Sequence, residues 1–209
     1  MILSIETSTK VCSVALHNEG RLIDFLEDHS AFNHSVVLHS FVEDLLKRNH
    51  LKLNELEAIA ISSGPGSYTG LRIGVSTAKG YAFALNKPLI AIPTLESLCY
   101  SDKINSFIEL NNLSEKEYVF IPMIDARRME VYACTFSSRK EKITETEAII
   151  LHEQSFIDKE KIKILIGDGA AKTKELFANR RDIFIAEQVL CSAKNLGDLA
   201  YQKWIKKEF

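Results

Sequence analysis

Cysteine is scarce and scattered: Cys12, Cys99, Cys134 and Cys191 are the only four in 209 residues. None stands close enough to another for a CxxC redox pair or a zinc knuckle. They read instead as small buried side chains in a reducing compartment. No charge of either sign dominates, with 26 Lys plus Arg against 28 Asp plus Glu and a formal net charge of -2. That excludes strong nucleic-acid binding by this chain alone, because such binding draws on basic side chains over phosphates. The locally basic Lys203-Trp204-Ile205-Lys206-Lys207 is read as a solvated last helical turn rather than an RNA contact. No run approaches the ~20 apolar residues of a membrane helix. The opening MILSIETST meets Glu6 after a short apolar run and has no basic region, unlike a signal peptide. A soluble, cytoplasmic protein is expected. Histidine is missing from the whole stretch between His50 and His152.

What is present centres on Ser62 to Gly80, SSGPGSYTGLRIGVSTAKG. A predicted strand, Ala58 to Ser62, runs into Gly64, Gly66 and Gly70, and a predicted helix, Thr69 to Leu85, follows. Backbone N–H groups of such a loop could hold an anion at the helix start. A tight strand-to-helix corner needing positive φ explains the same glycines. The loop is not a Walker P-loop, since Leu71-Arg72 stands where the lysine belongs. It is not a nucleophile elbow either, because Pro65 and Thr69 flank Ser67 where glycines are required. His34 and His39, five residues apart, point about 140° away from each other on a helix and form neither a ligand pair nor a triad.

The chain reads as two similar halves. Strands at Ile2–Thr7, Val11–His17 and Arg21–Glu27 precede a helix at His34–Asn49, with Asn33 as N-cap. The strand at 58, the helix at 69 and a strand at Leu89–Ile92 complete the first half. The second has strands at Tyr118–Ile124, Met129–Phe136, Lys142–Leu151, Lys163–Ile166 and Ile183–Ile185. Its helices are placed at Ala170–Ala178 and Ser192–Lys207. This is a duplicated β-β-β-α-β-α unit in an α/β protein of two domains, 1–105 and 106–209, with the last helix free to pack on the first domain. The linker is placed in the polar stretch from Tyr100 to Ser114.

A carboxylate ends the first strand of each half, Glu6 and Asp125. That layout resembles the ribonuclease-H-like fold of the actin, hexokinase and Hsp70 superfamily. Three segments sharpen the resemblance: ILSIETSTKVCSVAL at 2–16, SSGPGSYTGLRIGVSTAKGYAFAL at 62–85 and IDARRMEVYAC at 124–134. They resemble the TsaB (YeaZ) family of bacterial tRNA threonylcarbamoyladenosine synthesis. The resemblance implies a non-catalytic paralogue of TsaD, whose two metal-binding histidines follow the strand after the glycine-loop helix. Here that place reads Ala91-Ile92-Pro93-Thr94-Leu95-Glu96-Ser97-Leu98. With no imidazole or cysteine pair to bind it, no metal, cofactor or catalytic residue is expected.

The resemblance further implies a vestigial nucleotide cleft at Glu6, Ser8, Asp125, Gly167 and Gly169, where the two carboxylates either hold magnesium or merely orient their hairpins. It also implies docking on TsaD through the helices at 34 and 69. Gly70, Gly74, Ala78 and Ala82 recur every four residues, and two helical glycines at roughly 1 kcal/mol each ask for a compensating close approach. Either the neighbouring helix of the same domain or a further subunit supplies it, and the second reading is adopted. The interface is then expected at His34, Val37, Leu38, Phe41, Leu45, Gly70, Leu71, Gly74, Val75, Ala78 and Ala82. The partners expected are TsaD, TsaE in a larger complex, a second copy through the same helices, and tRNA only indirectly. Two rival readings are a small-molecule kinase with Glu6 and Asp125 at magnesium, and a glycoprotein metallopeptidase.

Overall fold

The computed structural model describes residues 1–30, 34–114, 116–157 and 161–209. Its elements begin with β1 (Ile2–Glu6), β2 (Cys12–Asn18), β3 (Arg21–Asp28), α1 (His34–Arg48), β4 (Ala58–Ser62), α2 (Tyr68–Leu85), β5 (Leu89–Ile92) and α3 (Thr94–Leu98). They continue with α4 (Lys103–Leu110), β6 (Tyr118–Asp125), β7 (Glu130–Ala133), β8 (Phe136–Ser137), β9 (Glu147–Ile150), β10 (Ile162–Ile166), β11 (Ile183–Ala186) and α5 (Gly197–Lys206). The chain divides into two units, one of Met1–Ser97 with Cys191–Phe209 and one of Leu98–Leu190. The sequence suggests one boundary at 105/106; the contacts draw two, and they give the last helix to the first unit.

In the first unit five strands lie in the order β3-β2-β1-β4-β5. The central strand β1 runs antiparallel to β2 and parallel to β4. Its side chains alternate between two different environments, as period-two geometry requires. Leu3 and Ile5, with Val14 and Leu16 of β2 and Ile59 and Ile61 of β4, face one way, and pack with Leu38, Val42 and Leu45 of α1 and Ala78 and Ala82 of α2. Ser4, Glu6, Ser13, Ala15 and His17 face the other way, and residues 191–209 cover that second, more polar face. The Ala193 amide donates to Ser13 Oγ at 2.8 Å, and His17 Nε2 lies 3.3 Å from the Lys194 carbonyl oxygen. A Cβ at Gly197 would collide with the His17 ring, so only glycine allows this approach.

The second unit orders its strands β9-β7-β6-β10-β11, with β8 also on β6. Here too the first strand has an antiparallel neighbour, β7, and a parallel one, β10. Val119, Ile121, Met123, Val131, Ala133, Leu165, Ala170 and Phe177 form its core. Lys163, only 2% exposed, places its Nζ 3.2 Å from Asp182.

Several predicted elements differ. The helix expected over 170–178 is a 3-10 turn, Ala170–Thr173, followed by further turns. Thr173 Oγ1 donates to the Ala170 carbonyl at 2.7 Å, an i→i−3 side-chain bond that competes with a helical ladder. The strand expected over 142–151 pairs with β7 only at Glu147–Ile150, because the Ile143 and Thr144 amides turn back to the Thr135 carbonyl. The strand expected over 129–136 is interrupted between Ala133 and Phe136. The polar linker holds α4, whose Ile104, Phe107 and Ile108 are buried at helical spacing. The last helix opens with a 3-10 turn, Ala193–Leu196. The expected N-cap at Asn33 lies outside the described residues.

Candidate functional site

The glycine loop joins β4 to α2 around the turn that leaves β1. The Ser67 amide donates to the Ser8 carbonyl at 2.6 Å, and Thr7 Oγ1 donates to the Gly70 carbonyl at 2.8 Å. A Cβ at Gly66 would land on the Ser8 carbonyl, one at Gly70 on the Thr7 carbonyl, and one at Gly74 on Thr7 Oγ1. Gly64 has φ +105°, a conformation that side chains disfavour. Ser67 caps α2, its Oγ accepting from the Gly70 amide at 3.3 Å. The Gly64 amide donates to Thr94 Oγ1 at 3.1 Å and the Ser63 amide to the Ile92 carbonyl at 2.8 Å. The Ser63, Gly64, Ser67 and Gly70 amides are therefore engaged within the unit, and the glycines serve a tight corner packed against residues 7 and 8.

This geometry corrects the expected interface. Gly70, Gly74, Ala78 and Ala82 are buried in the unit itself, as are Leu38 and Leu45. The close approach that Gly70 and Gly74 serve is to Thr7 and Ile61 of the same unit. His34, Val37, Phe41, Leu71 and Val75 remain partly exposed. His34 Nε2 lies 3.0 Å from the Thr9 carbonyl oxygen. The sequence reading missed the residues that do face outward. Val36 is 71% exposed and Phe83 91%. His39 Nδ1 and the Tyr81 hydroxyl are 3.0 Å apart, linking α1 to α2 at the surface. Burial, with Glu43 adding to it, raises the Tyr81 phenol above its ordinary value. The signal was available: with the small residues turned inward, the opposite side of α2 carries Arg72, Ser76, Lys79, Gly80 and Phe83.

The expected cleft residues are likewise redefined. Glu6 and Ser8 are fully buried, so this Glu6 cannot present a carboxylate to magnesium, as the kinase reading requires. Its Oε1 accepts from the Ser8 amide at 2.6 Å and from Ser62 Oγ at 2.9 Å, which orients the hairpin turn. In the second unit Asp125 sits at the matching strand end with Lys172 Nζ 2.5 Å away. Its Oδ1 also accepts from the Arg127 amide at 2.6 Å, and its own amide donates to Asp168. Gly167, at φ +97°, and Gly169 pass close over Met123. Among the described residues no group of three or more His, Cys, Asp or Glu is placed to hold a metal ion, and no helix is long and apolar enough to cross a membrane.

Fold and site together define an α/β protein of the actin/hexokinase-like class whose glycine corner seats a helix. The model of the TsaD family, tRNA N6-adenosine threonylcarbamoyltransferase, matches residues 28–194. TsaB of Bacillus subtilis (strain 168) is 31% identical over 180 residues, covering 84% of this chain and 74% of its own length. TsaB of Escherichia coli (strain K12) is 32% identical over 161 residues, 73% of this chain and 65% of its own. The solved structure of YeaZ from Pseudomonas aeruginosa superposes with a TM-score of 0.78 at 27% identity, covering 99% of this chain and 93% of that one. The chain belongs to the TsaB (YeaZ) family. It spans between 51% and 65% of the length of three of the curated relatives it matches.

Proposed function

We propose that this chain is a non-catalytic subunit that binds TsaD and stabilises its active form. In that complex TsaD transfers a threonylcarbamoyl group from its adenylate to the adenosine beside the anticodon, in tRNAs reading codons that begin with A. Membership of the TsaB family supports the reading. The observation that carries it is the segment after β5, Ala91 to Leu98, which offers no histidine where the catalytic paralogue has its metal pair. The shared strand order of the two sheets supports descent by duplication within a ribonuclease-H-like fold. TsaE joins the larger assembly, the protein works in the cytoplasm, and tRNA is met only through the complex.

The docking surface is the outward side of α1 and α2, with Val36 and His39 on the first helix and Phe83 on the second at its centre. Large side chains left in water on adjacent helices support that assignment over the buried stripe. A second copy of the chain uses the same surface when TsaD is absent. Phe83→Asp tests this. Co-expressed TsaD is expected to be lost on co-purification, with the circular dichroism spectrum and melting temperature of the variant unchanged. Undiminished capture of TsaD by a folded Phe83→Asp, Val36→Asp double variant would remove the surface from consideration.

A further inference from the structure

In the turn between β6 and β7, Arg127 and Arg128 follow one another at φ +70° and +42°. Among the described residues that carry side chains, they are the only consecutive pair at positive φ. Asparagine and glycine take such positions at least cost, and other side chains are strained there. Strained residues of this kind persist where the surroundings over-determine the backbone, and they gather at ligand sites. The clamp is visible here. The Arg127 amide donates to Asp125 Oδ1 at 2.6 Å, the Ala126 amide to the Glu130 carbonyl at 3.1 Å and the Glu130 amide to the Arg127 carbonyl at 3.1 Å. Lys172 Nζ donates to the Arg128 and Glu130 carbonyls at 2.6 and 3.1 Å and stands 2.5 Å from Asp125 Oδ1. The Leu151 amide closes the far side on the Met129 carbonyl at 2.7 Å. None of these bonds uses an arginine side chain, so the backbone alone would be better served by asparagine and glycine. Both guanidiniums are exposed and, among the described residues, neither holds a carboxylate, whereas Arg48 and Arg180 hold Asp24 and Asp182.

We propose that the Arg127–Arg128 turn is a binding site for a doubly charged phosphate group, and that the strained backbone is kept because two guanidinium side chains must leave one rigid point. Asp125 and Lys172 are its positioning residues: they neutralise each other while fixing the turn. The planar guanidinium fork matches phosphate oxygens, and a backbone already fixed spares part of the ordering cost of binding. Two adjacent cations favour a dianion over the single charge of a carboxylate or a phosphodiester. Asp168, which accepts the Asp125 amide at 3.0 Å, and Glu130 stand beside the turn, so the site holds its phosphate in fast exchange. The inference is independent of the partnership with TsaD.

Nitrogen-15 NMR of the whole protein, titrated with inorganic phosphate at a pH that keeps it doubly charged, tests this. Arg139 and Arg181 of the same unit, exposed but not at positive φ, are the comparators. The amides from Arg127 to Met129 are expected to shift saturably, with a midpoint at least about tenfold below any response at Arg139 or Arg181. Equal midpoints at all four arginines would overturn the proposal. The double variant Arg127→Asn, Arg128→Gly is expected to melt at or above the wild-type temperature and to lose the phosphate response of the Met129 amide. A lower melting temperature would make the arginines supports of the fold, and a surviving response would put the anion elsewhere; either result overturns the site. Phenyl phosphate distinguishes the sources of the group: a lower midpoint than inorganic phosphate assigns an organic phosphomonoester, and an equal one the bare ion. Dimethyl phosphate, a singly charged diester, is expected to shift these amides only at much higher concentration, and an equal response to it would overturn the preference for a dianion.

Discussion

At the scale of single residues, His17 ties the stability of the first unit to pH. It is buried between Ser4 Oγ, 3.0 Å from Nδ1, and the Lys194 carbonyl, 3.3 Å from Nε2. Burial lowers it from 6.5 to about 4, outweighing the carbonyl and Asp198, which favour the charged form. A base depressed in this way binds its proton more weakly folded than unfolded. Its contribution is whole above pH 6.5 and drains away as pH falls toward 4. Urea titrations at pH 7 and 5 are expected to show a less stable protein at the lower pH, and His17→Gln is expected to remove that part of the difference. Glycines at this scale are not equivalent. Gly80→Ala meets nothing within 4 Å and should stabilise the helix by roughly 0.5–1 kcal/mol. Gly70→Ala drives a methyl into the Thr7 carbonyl and should destabilise by about 1–3 kcal/mol. Paired melting curves in the isolated protein compare the two.

Among the elements, the segment after Leu190 has the largest structural consequence. Its 3-10 turn and α5 cover the face of the first sheet that α1 and α2 leave open, and Ser192 and Lys194 bind Glu27 of β3. Truncation after Leu190 uncovers Ser4, Ser13 and His17 along with the apolar residues beside them. The shortened chain is expected to lose cooperative unfolding in the first unit, seen as a broadened or missing transition by near-ultraviolet circular dichroism. A sharp transition at the wild-type position would contradict this. The sequence showed that a long helix ends the chain but not where it packs, because Ser4, Ser13 and His17 look the same from sequence whether covered by protein or by water. The glycine corner was legible for the opposite reason: three glycines at a strand-to-helix junction mark positions that need a positive φ or a close backbone approach, which other residues do not allow. The direction of the Gly70–Ala82 stripe was not legible, since small residues permit close approach to any neighbour, and for Gly70 and Gly74 that neighbour is Thr7. α4 was hidden because its three buried apolar residues lie among Lys103, Asn105, Ser106 and Glu109.

On the scale of the whole molecule, the two sheets share one strand order, yet their crossovers differ sharply. An 18-residue helix joins β4 to β5, whereas a four-residue 3-10 turn is the helical element between β10 and β11. The first strand of each unit ends in a carboxylate with a different fate. Glu6 is sealed under its loop, and Asp125, with a side chain 44% exposed, is neutralised by Lys172. Family patterns could align the two acids but could not reveal this divergence, which depends on partners distant in sequence. The discontinuous first unit also bears on the protein's synthesis. A ribosome adds roughly 5–20 residues per second from the N-terminus. The sheet begun first therefore has to wait, one face bare, while residues 98–190 emerge and are free to close on their own core. The unit started earliest is the last to be finished, and a nascent chain paused before Cys191 is the stage at which a chaperone would find the most to hold.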